Sequence, residues 1–163
     1  MKTQVIDYHI REASYLGYAA IPEGKEFPAV IVAHTWAGRD RFVEDKAEML
    51  ASMGYLGFAL DMYGKGVFFS VGDVEGNSAL MNPLAVDSAA LRQRALSALD
   101  VLKKHEQVDS SRVGAMGYCF GGMCVLELAR SGADVKGVIS IHGIFSPGDV
   151  PNEKIVSKIL CLH

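Results

Sequence analysis

The chain has 163 residues, of which half are hydrophobic, and its mean hydropathy of +0.18 suits one domain over residues 1–163 with a sizeable core. The net charge of −3 and the lack of a basic stripe argue against nucleic-acid binding, and the apolar runs are too short to span a membrane. Three cysteines without zinc-type spacing, and no apolar leader, predict free thiols in the cytoplasm and no metal.

The first third of the chain predicts three strands and one helix. Residues Val5–Ile10 and Tyr15–Ile21 are expected to form an edge hairpin that turns near Ala13 and Ser14. The unbroken apolar run Pro28–His34 is typical of a strand covered on both faces. A helix over residues 40–53 follows, for which Asp40 can serve as the cap and Gly54 as the end.

The middle of the chain predicts a strand, a long loop and a long helix. Tyr55–Leu60 has the composition of a buried strand, and the glycine-rich segment Met62–Gly76 is expected to be a lid loop. Its apolar residues are Val67, Phe68 and Phe69, which can line a pocket or simply pack on the surface. Asn82 as cap and Pro83 in the first turn predict a helix that runs to about residue 105.

The run Gly117-Tyr118-Cys119-Phe120-Gly121-Gly122 is the most informative motif. It has the G-x-S-x-G form of a nucleophile elbow with cysteine in place of serine. A predicted strand, Arg112–Met116, precedes it, and a predicted helix, Met123–Arg130, follows it. A strand, a tight turn and a helix in this order indicate acyl-transfer chemistry, although a buried, inert cysteine in a glycine-rich turn is the alternative.

Each residue type of this motif has a physical reason. The nucleophile occupies a strained backbone conformation, so Gly117 and Gly121 avoid collisions with the neighbouring strand and helix. The N-terminus of the helix favours the thiolate of Cys119. The N–H of Phe120 has no acceptor within the helix and is free to bind a developing oxyanion.

Two further strands, Val135–His142 and Lys158–Leu162, complete the predicted elements. Alternating strands and helices predict an α/β fold of the doubly wound type, with a mostly parallel sheet and helices on both faces.

Five segments together resemble the dienelactone hydrolase family of the α/β-hydrolases, from about residue 15 to the end of the chain. They are Ile31–His34 with Gly38, Leu60–Gly64, Arg112–Gly122, Val138–Gly143 and Lys158–His163. The resemblance implies hydrolysis of lactones or carboxylic esters through a Cys-Asp-His triad without a metal or organic cofactor. It implies that Cys119 is the nucleophile and that the backbone N–H groups of Trp36 and Phe120 form the oxyanion hole.

The chain departs from the family pattern in two places. Many members carry glutamate after the histidine, where this chain has Thr35. This difference bears on the dienelactone substrate of the family more than on the acyl-transfer chemistry. The family's acid and catalytic histidine follow the strand that resembles Lys158–Leu162, whereas this sequence stops at His163. The expectation is a truncated α/β-hydrolase, whether a fragment, a partial chain or a cleavage product, that lacks the final strand and helix and is nearly inactive alone.

Three residues within the chain are possible substitutes for the missing partners. His34 and His142 end predicted strands on the rim where ligands bind, and Asp149 follows on a loop. A pocket-lining or hydrogen-bonded structural role is favoured for the two histidines, and a solvated loop charge for Asp149. His34, Thr35 and His142 are candidates for lining a substrate pocket. No role is assigned to the remaining histidines. Core positions are expected for Cys124 and Cys161, and a turn-stabilising role for Asp61.

The predicted function is hydrolysis of a small ester or lactone through an acyl-cysteine. Two alternatives stay open. One is a non-catalytic binding or interaction module, whose exposed last strand would pair with a partner edge, including that of a second copy. The other is hydrolysis of a different ester type, such as a phosphotriester, at the same thiol.

Overall fold

The computed structural model describes residues 1–163 and contains seven strands and four helices. None of the helices combines the length and the apolar character needed to cross a bilayer. The elements in chain order are β1 (Lys2–Ile10), β2 (Ala13–Ile21), β3 (Phe27–Ala33), α1 (Arg41–Ser52), β4 (Leu56–Ala59), α2 (Val74–Ala85), α3 (Ser88–Lys103), β5 (Val108–Tyr118), α4 (Phe120–Arg130), β6 (Gly137–Ile141) and β7 (Lys158–Leu162).

All seven strands form one sheet in the order β1-β2-β4-β3-β5-β6-β7. The five strands from β4 to β7 are parallel to one another, while the β1–β2 hairpin joins β4 in the antiparallel sense. This arrangement confirms the predicted α/β fold with a mostly parallel sheet and an edge hairpin. The carboxyl ends of the parallel strands share one edge of the sheet, where ligands bind in folds of this kind.

Helices cover the sheet from both sides, as the continuous apolar run of β3 predicts. Val32 on β3 packs with Val43 and Ala47 of α1 on one face. Its neighbour Ile31 points to the other face and belongs to the larger cluster that includes Leu91 of α3. Successive side chains of a strand alternate between faces, so a strand buried on both sides needs apolar residues at every position.

The prediction of one helix that begins at Asn82 is wrong. Pro83 lies inside α2, which begins much earlier after Asp73, and the chain breaks only at Val86 before α3 starts. The reason is the capping chemistry: the Asp73 carboxylate accepts a hydrogen bond from Gly76 N–H, and the Asp87 carboxylate accepts one from Ala90 N–H, each at 2.8 Å. The lid loop is correspondingly shorter, since helix replaces its last residues.

Smaller differences concern the ends of the strands. The hairpin turns at Arg11 and Glu12, because Ile10 already pairs with Ala13. Arg11 takes a positive φ of 56° at that turn. Strand β5 begins at Val108, four residues before the predicted start at Arg112.

One region of the sheet carries no helix. All five residues of β7 are exposed, and this strand pairs only with β6. Beside α1 the uncovered surface forms an apolar groove of about 470 Å³, to which Val30, Met116, Ile139 and Leu160 contribute. Apolar surface is therefore exposed at one edge of the sheet.

Candidate active site

Cys119 lies at the sharp turn between β5 and α4. Its backbone angles, φ 55° and ψ −115°, are strained for any residue other than glycine. Two hydrogen bonds of 2.9 Å hold it: Cys119 N–H donates to Ile141 O, and Gly122 N–H donates to Cys119 O. Strand β6 and helix α4 thus fix the strained turn from both sides, as a nucleophile elbow requires.

The glycines of the motif are dictated by close backbone contacts. A Cβ atom at Gly117 would lie 2.0 Å from Gly121 O, and one at Gly121 would lie 2.2 Å from Ala33 O. Both distances are far below any real carbon contact and involve backbone atoms that have no room to move. The structure confirms the expectation that larger residues here would collide with the adjacent helix and strand.

A cleft of about 330 Å³ opens next to the thiol. Its lining residues are Thr35, Trp36, Asp40, Phe42, Val71 and Cys119. Trp36, Phe42 and Val71 supply apolar surface, and Thr35 and Asp40 supply polar groups, which is the usual make-up of a small-molecule site. The thiol therefore lies beside an open and largely apolar cleft.

The three cysteines differ in their surroundings. Cys119 is half-buried at the N-terminus of α4. Cys124 lies in the core as expected, and burial raises the pKa of its thiol far above the ordinary value. The core position expected for Cys161 is wrong, because no helix covers β7 and this thiol is exposed. Cys119 alone combines partial access with a position at the N-terminus of a helix.

Two backbone N–H groups next to this thiol are free to act as donors. Phe120 is the first residue of α4, so its N–H has no acceptor within the helix. Trp36 lies in the loop after β3 and lines the same cleft as Cys119. The Tyr63 hydroxyl donates to Trp36 O at 2.9 Å and so braces this loop. The general scheme of an oxyanion hole uses two amides, one after the nucleophile and one from the loop after β3, and the roles of Phe120 and Trp36 in it remain predictions.

His34 is fully buried below the cleft and does not line it. Its Nε2 accepts a hydrogen bond from Met62 N–H at 3.1 Å, so the ring proton is on Nδ1, which donates to Thr35 O at 2.6 Å. Burial lowers the pKa of the ring. With both nitrogens engaged and the neutral form favoured, His34 has no free atom with which to take a proton from a thiol.

Thr35 and His142, the other two pocket candidates, have different positions. Thr35 lines the cleft, and its hydroxyl accepts a hydrogen bond from Ala37 N–H at 3.3 Å. His142 is exposed and is absent from the cleft wall; its N–H donates to Leu162 O at 2.7 Å, and its ring stacks on that of His163 at 5.6 Å. The structure therefore places Thr35 in the wall of the cleft with the thiol, and places His142 directly after β6, against the end of β7.

Both aspartates considered at the sequence level have structural partners. Asp149 Oδ1 accepts a hydrogen bond from Ser88 N–H at 2.9 Å at the start of α3, and this bond lowers the pKa of the carboxyl. The buried Asp61 accepts hydrogen bonds from the N–H groups of Tyr63 and Gly64, each at 2.9 Å. The turn-stabilising role expected for Asp61 is confirmed.

The sequence did not identify three of the lining residues. Asp40 was interpreted only as a helix cap, yet its side chain makes no capping hydrogen bond and lines the cleft instead. Phe42 and Val71 were missed because their place depends on how α1 and the lid loop fold over the elbow. Of the lid residues singled out, Phe68 is exposed and packs on Gly38. The one sequence signal for Asp40 is its position a few residues after the oxyanion loop.

No group of three or more histidine, cysteine, aspartate or glutamate side chains is arranged to hold a metal ion.

Known proteins with a similar sequence or structure share this fold. A solved structure named m3DLH is 34% identical, with a TM-score of 0.85, and the match covers 90% of this chain and 61% of that one. A dienelactone hydrolase-like promiscuous phosphotriesterase from metagenomic libraries is 30% identical, with a TM-score of 0.88, over 98% of this chain and 67% of that one. A curated protein of Methylorubrum extorquens, "Putative carboxymethylenebutenolidase", is 28% identical over 77% of this chain.

This chain spans only 44% of the length of the Methylorubrum extorquens protein. The sequence profile of the "Dienelactone hydrolase family" matches residues 16–163, nearly the whole chain. With the elbow, the sheet order and these relatives in agreement, the chain belongs to the dienelactone hydrolase family.

Proposed function

We propose that this hydrolase-family chain cleaves small carboxylic esters or lactones through an acyl-cysteine formed on Cys119. The observation that carries the proposal is the strained elbow, which fixes a partly accessible thiol at a helix N-terminus beside a cleft of about 330 Å³. A strained conformation of this kind persists only where surrounding structure holds it, and such positions cluster at active sites. The name of the Methylorubrum extorquens relative describes the opening of a lactone, a butenolide.

The chemistry follows from the placement of the donors. The Cys119 thiolate attacks the carbonyl carbon, and the carbonyl oxygen becomes an oxyanion that the N–H groups of Trp36 and Phe120 stabilise. Collapse of the intermediate breaks the bond to the alkoxy oxygen, and the alcohol leaves with a proton from solvent. Water then attacks the thioester, releasing the carboxylic acid and restoring the thiol.

The described residues supply no base for the second half of this reaction. His34 has both ring nitrogens engaged, and His142 stacks on His163 instead of facing the cleft. Loss of a triad member typically lowers turnover by about a thousandfold or more. We therefore propose that the 163 residues deacylate more slowly than they acylate, so that steady turnover is nearly absent.

A burst experiment with 4-nitrophenyl acetate tests the proposal. Release of about one equivalent of nitrophenol, followed by a slow steady rate, is expected, with an acetyl group on the peptide that contains Cys119. Cys119→Ala should abolish the burst, whereas Cys161→Ala, which removes an exposed thiol on β7 that does not line the cleft, should retain it. An undiminished burst in Cys119→Ala would overturn the assignment, and no burst in any protein would favour the non-catalytic alternative.

Phosphotriesters are a second candidate substrate class. The structural relative that covers 98% of this chain is named a promiscuous phosphotriesterase, and the wall of this cleft is largely apolar, which suits a neutral triester. A nitrophenyl dialkyl phosphate in the same burst assay separates the two classes by the mass added at Cys119.

The cytoplasmic location remains a prediction, made from the small number and the spacing of cysteines in the sequence. The expectation of a small-molecule partner rather than a nucleic acid likewise remains a prediction.

A further inference from the structure

Asp40 is a carboxylate without a protein donor in the wall of the Cys119 cleft. It occupies the N-cap position of α1, but its side chain accepts no hydrogen bond from the helix. Its Oδ1 atom is shielded from solvent and has no hydrogen-bond partner in the protein. A buried acceptor is normally paired, so one left unpaired at a cavity needs an explanation.

The positively charged side chains closest to Asp40 along the chain form ion pairs with other carboxylates. The Arg39 guanidinium pairs with Glu44, and Arg41 pairs with Asp45 at 2.6 Å. The Nζ atom of Lys46 lies 5.1 Å from the centre of the Phe42 ring, and Phe42 in turn lines the cleft. None of these three cations lines the cleft, and the ion pairs of Arg39 and Arg41 are made with carboxylates other than Asp40.

We propose that Asp40 sets the substrate charge that the cleft accepts: it favours substrates that bring a hydrogen-bond donor or a positive charge, and it rejects anionic ones. The proposal rests on Cys119 being the reacting group of the proposed function. A hydroxyl, an amide N–H or an ammonium group near the scissile carbonyl would meet an acceptor on the side of the Asp40 carboxylate that lines the cleft, rather than at the shielded Oδ1 atom. A carboxylate at the same place would meet a like charge in a largely apolar cleft, where electrostatic repulsion is stronger than in water.

The test compares two alkylating agents of nearly equal size at Cys119. Iodoacetamide is neutral and iodoacetate is anionic. With each reagent the thiolate sulfur forms a bond to the CH₂ carbon, and the carbon–iodine bond breaks to release iodide. Peptide mass spectrometry gives both rates at Cys119 and, in the same sample, at the exposed Cys161, which serves as an internal reference. We expect Asp40→Asn to lower the preference for iodoacetamide at Cys119 by about threefold to tenfold and to leave Cys161 unchanged.

Asn is a good choice of replacement because it caps helices as well as Asp does and has the same shape. Asp40→Glu keeps the charge and should keep the preference. Asp45→Asn removes an exposed carboxylate of α1 that does not line the cleft and should have no effect at Cys119. An unchanged preference in Asp40→Asn, or an equal change in Asp45→Asn, would overturn the proposal.

A panel of nitrophenyl esters extends the test to acyl transfer. The acyl chains have equal length and end in an ammonium, a hydroxyl, a methyl or a carboxylate group. The burst rate should fall in that order, and Asp40→Asn should raise the rate of the carboxylate ester relative to the methyl ester. If no ester gives a burst but the alkylation preference still depends on Asp40, the proposed function fails and the charge selectivity of the cleft stands.

Discussion

At the scale of single residues, His34 shows how a side chain next to the active site can serve the fold. Its ring is enclosed by Tyr63, at 4.7 Å between ring centres, and by Phe120, at 6.1 Å. It links the end of β3 to the chain after β4 by accepting from Met62 N–H. This acceptor exists only while Nε2 is deprotonated, so the fold at this point depends on a neutral imidazole.

The buried ring predicts a pH dependence of stability. Because the pKa of His34 is lowered in the folded protein, the unfolded chain binds the proton more readily. The contribution of the neutral His34 ring to the free energy of unfolding is fully present above the ordinary histidine pKa of about 6.5. It is lost as the pH falls below that value, at up to about 1.4 kcal/mol per pH unit. The free energy of unfolding, measured by urea titration between about pH 7.5 and 5.5, should therefore decrease toward acid.

The matched variants are His34→Asn and His9→Asn. Loss of the His34 ring should lower stability at pH 7.5 but flatten the acid dependence, whereas loss of the exposed His9 should leave the slope intact. The pKa of His105 is also lowered by burial, and its contribution is common to all three proteins. Equal slopes in His34→Asn and the unmodified chain would disprove the role assigned to this ring.

At the scale of elements, a buried ion cluster attaches the loop after β6 to two helices. Glu127 of α4 is fully buried and receives hydrogen bonds from Arg92 of α3 and Arg130 of its own helix. The same arginines also donate to the loop: Arg92 to Pro151 O at 2.7 Å, and Arg130 to Ser146 O at 2.9 Å. One carboxylate thereby holds two cations that secure the path from β6 to β7.

Glu127→Gln should be strongly destabilising. It leaves two guanidinium groups, both largely buried, without their counter-charge, which costs about 3 kcal/mol or more in comparable buried pairs. The cost is measured as the loss of unfolding free energy in urea, together with faster proteolysis within residues 143–157. The exposed pair of Asp100 and Lys104 supplies the comparison, and Asp100→Asn should change stability by about 0.5 kcal/mol at most. A similar small change in both variants would contradict the structural role of the cluster.

The sequence predicts elements well where local chemistry and burial agree. The motif around Cys119 specifies both its strand and its helix, because the strained turn, the glycines and the flanking apolar runs all require the same arrangement. Residues 74–105 are the counterexample: a proline near the end of α2 has the same local signature as a proline in a first turn. Only the bonds of Asp73 and Asp87, which depend on where each helix starts, separate the two.

The residues of the candidate site also differ in whether a local sequence pattern or the packing of distant segments places them. Cys119 and Phe120 follow from a contiguous motif, whereas Asp40, Phe42 and Val71 reach the cleft through the packing of three separate segments. His34 follows a strand toward the ligand-binding edge, as its position predicts. Its ring turns into the core because Met62 N–H and Thr35 O bind it there, and no local pattern encodes those partners.

At the scale of the whole molecule, the two edges of the sheet are unequal. The edge formed by β1 belongs to a long hairpin paired along nine residues. The other edge, β7, has five residues, all exposed, and continues into the apolar groove beside α1. An exposed edge with apolar side chains offers both backbone hydrogen bonds and surface to a second chain.

We propose that two copies of this chain associate through β7, and sedimentation velocity over about 1 to 100 µM should detect concentration-dependent dimers. Leu160, 50% exposed in the groove, is the position to change, since a lysine there blocks edge pairing and apolar contact together. Leu160→Lys should weaken association by about tenfold or more, equivalent to about 1.4 kcal/mol. Val86→Lys alters a more exposed apolar residue, at 77%, between α2 and α3, and should leave association unchanged. A monomer at every concentration would disprove the proposed association. Equal weakening by both substitutions would show that β7 is not the contact, because a general loss of surface hydrophobicity would then account for the result.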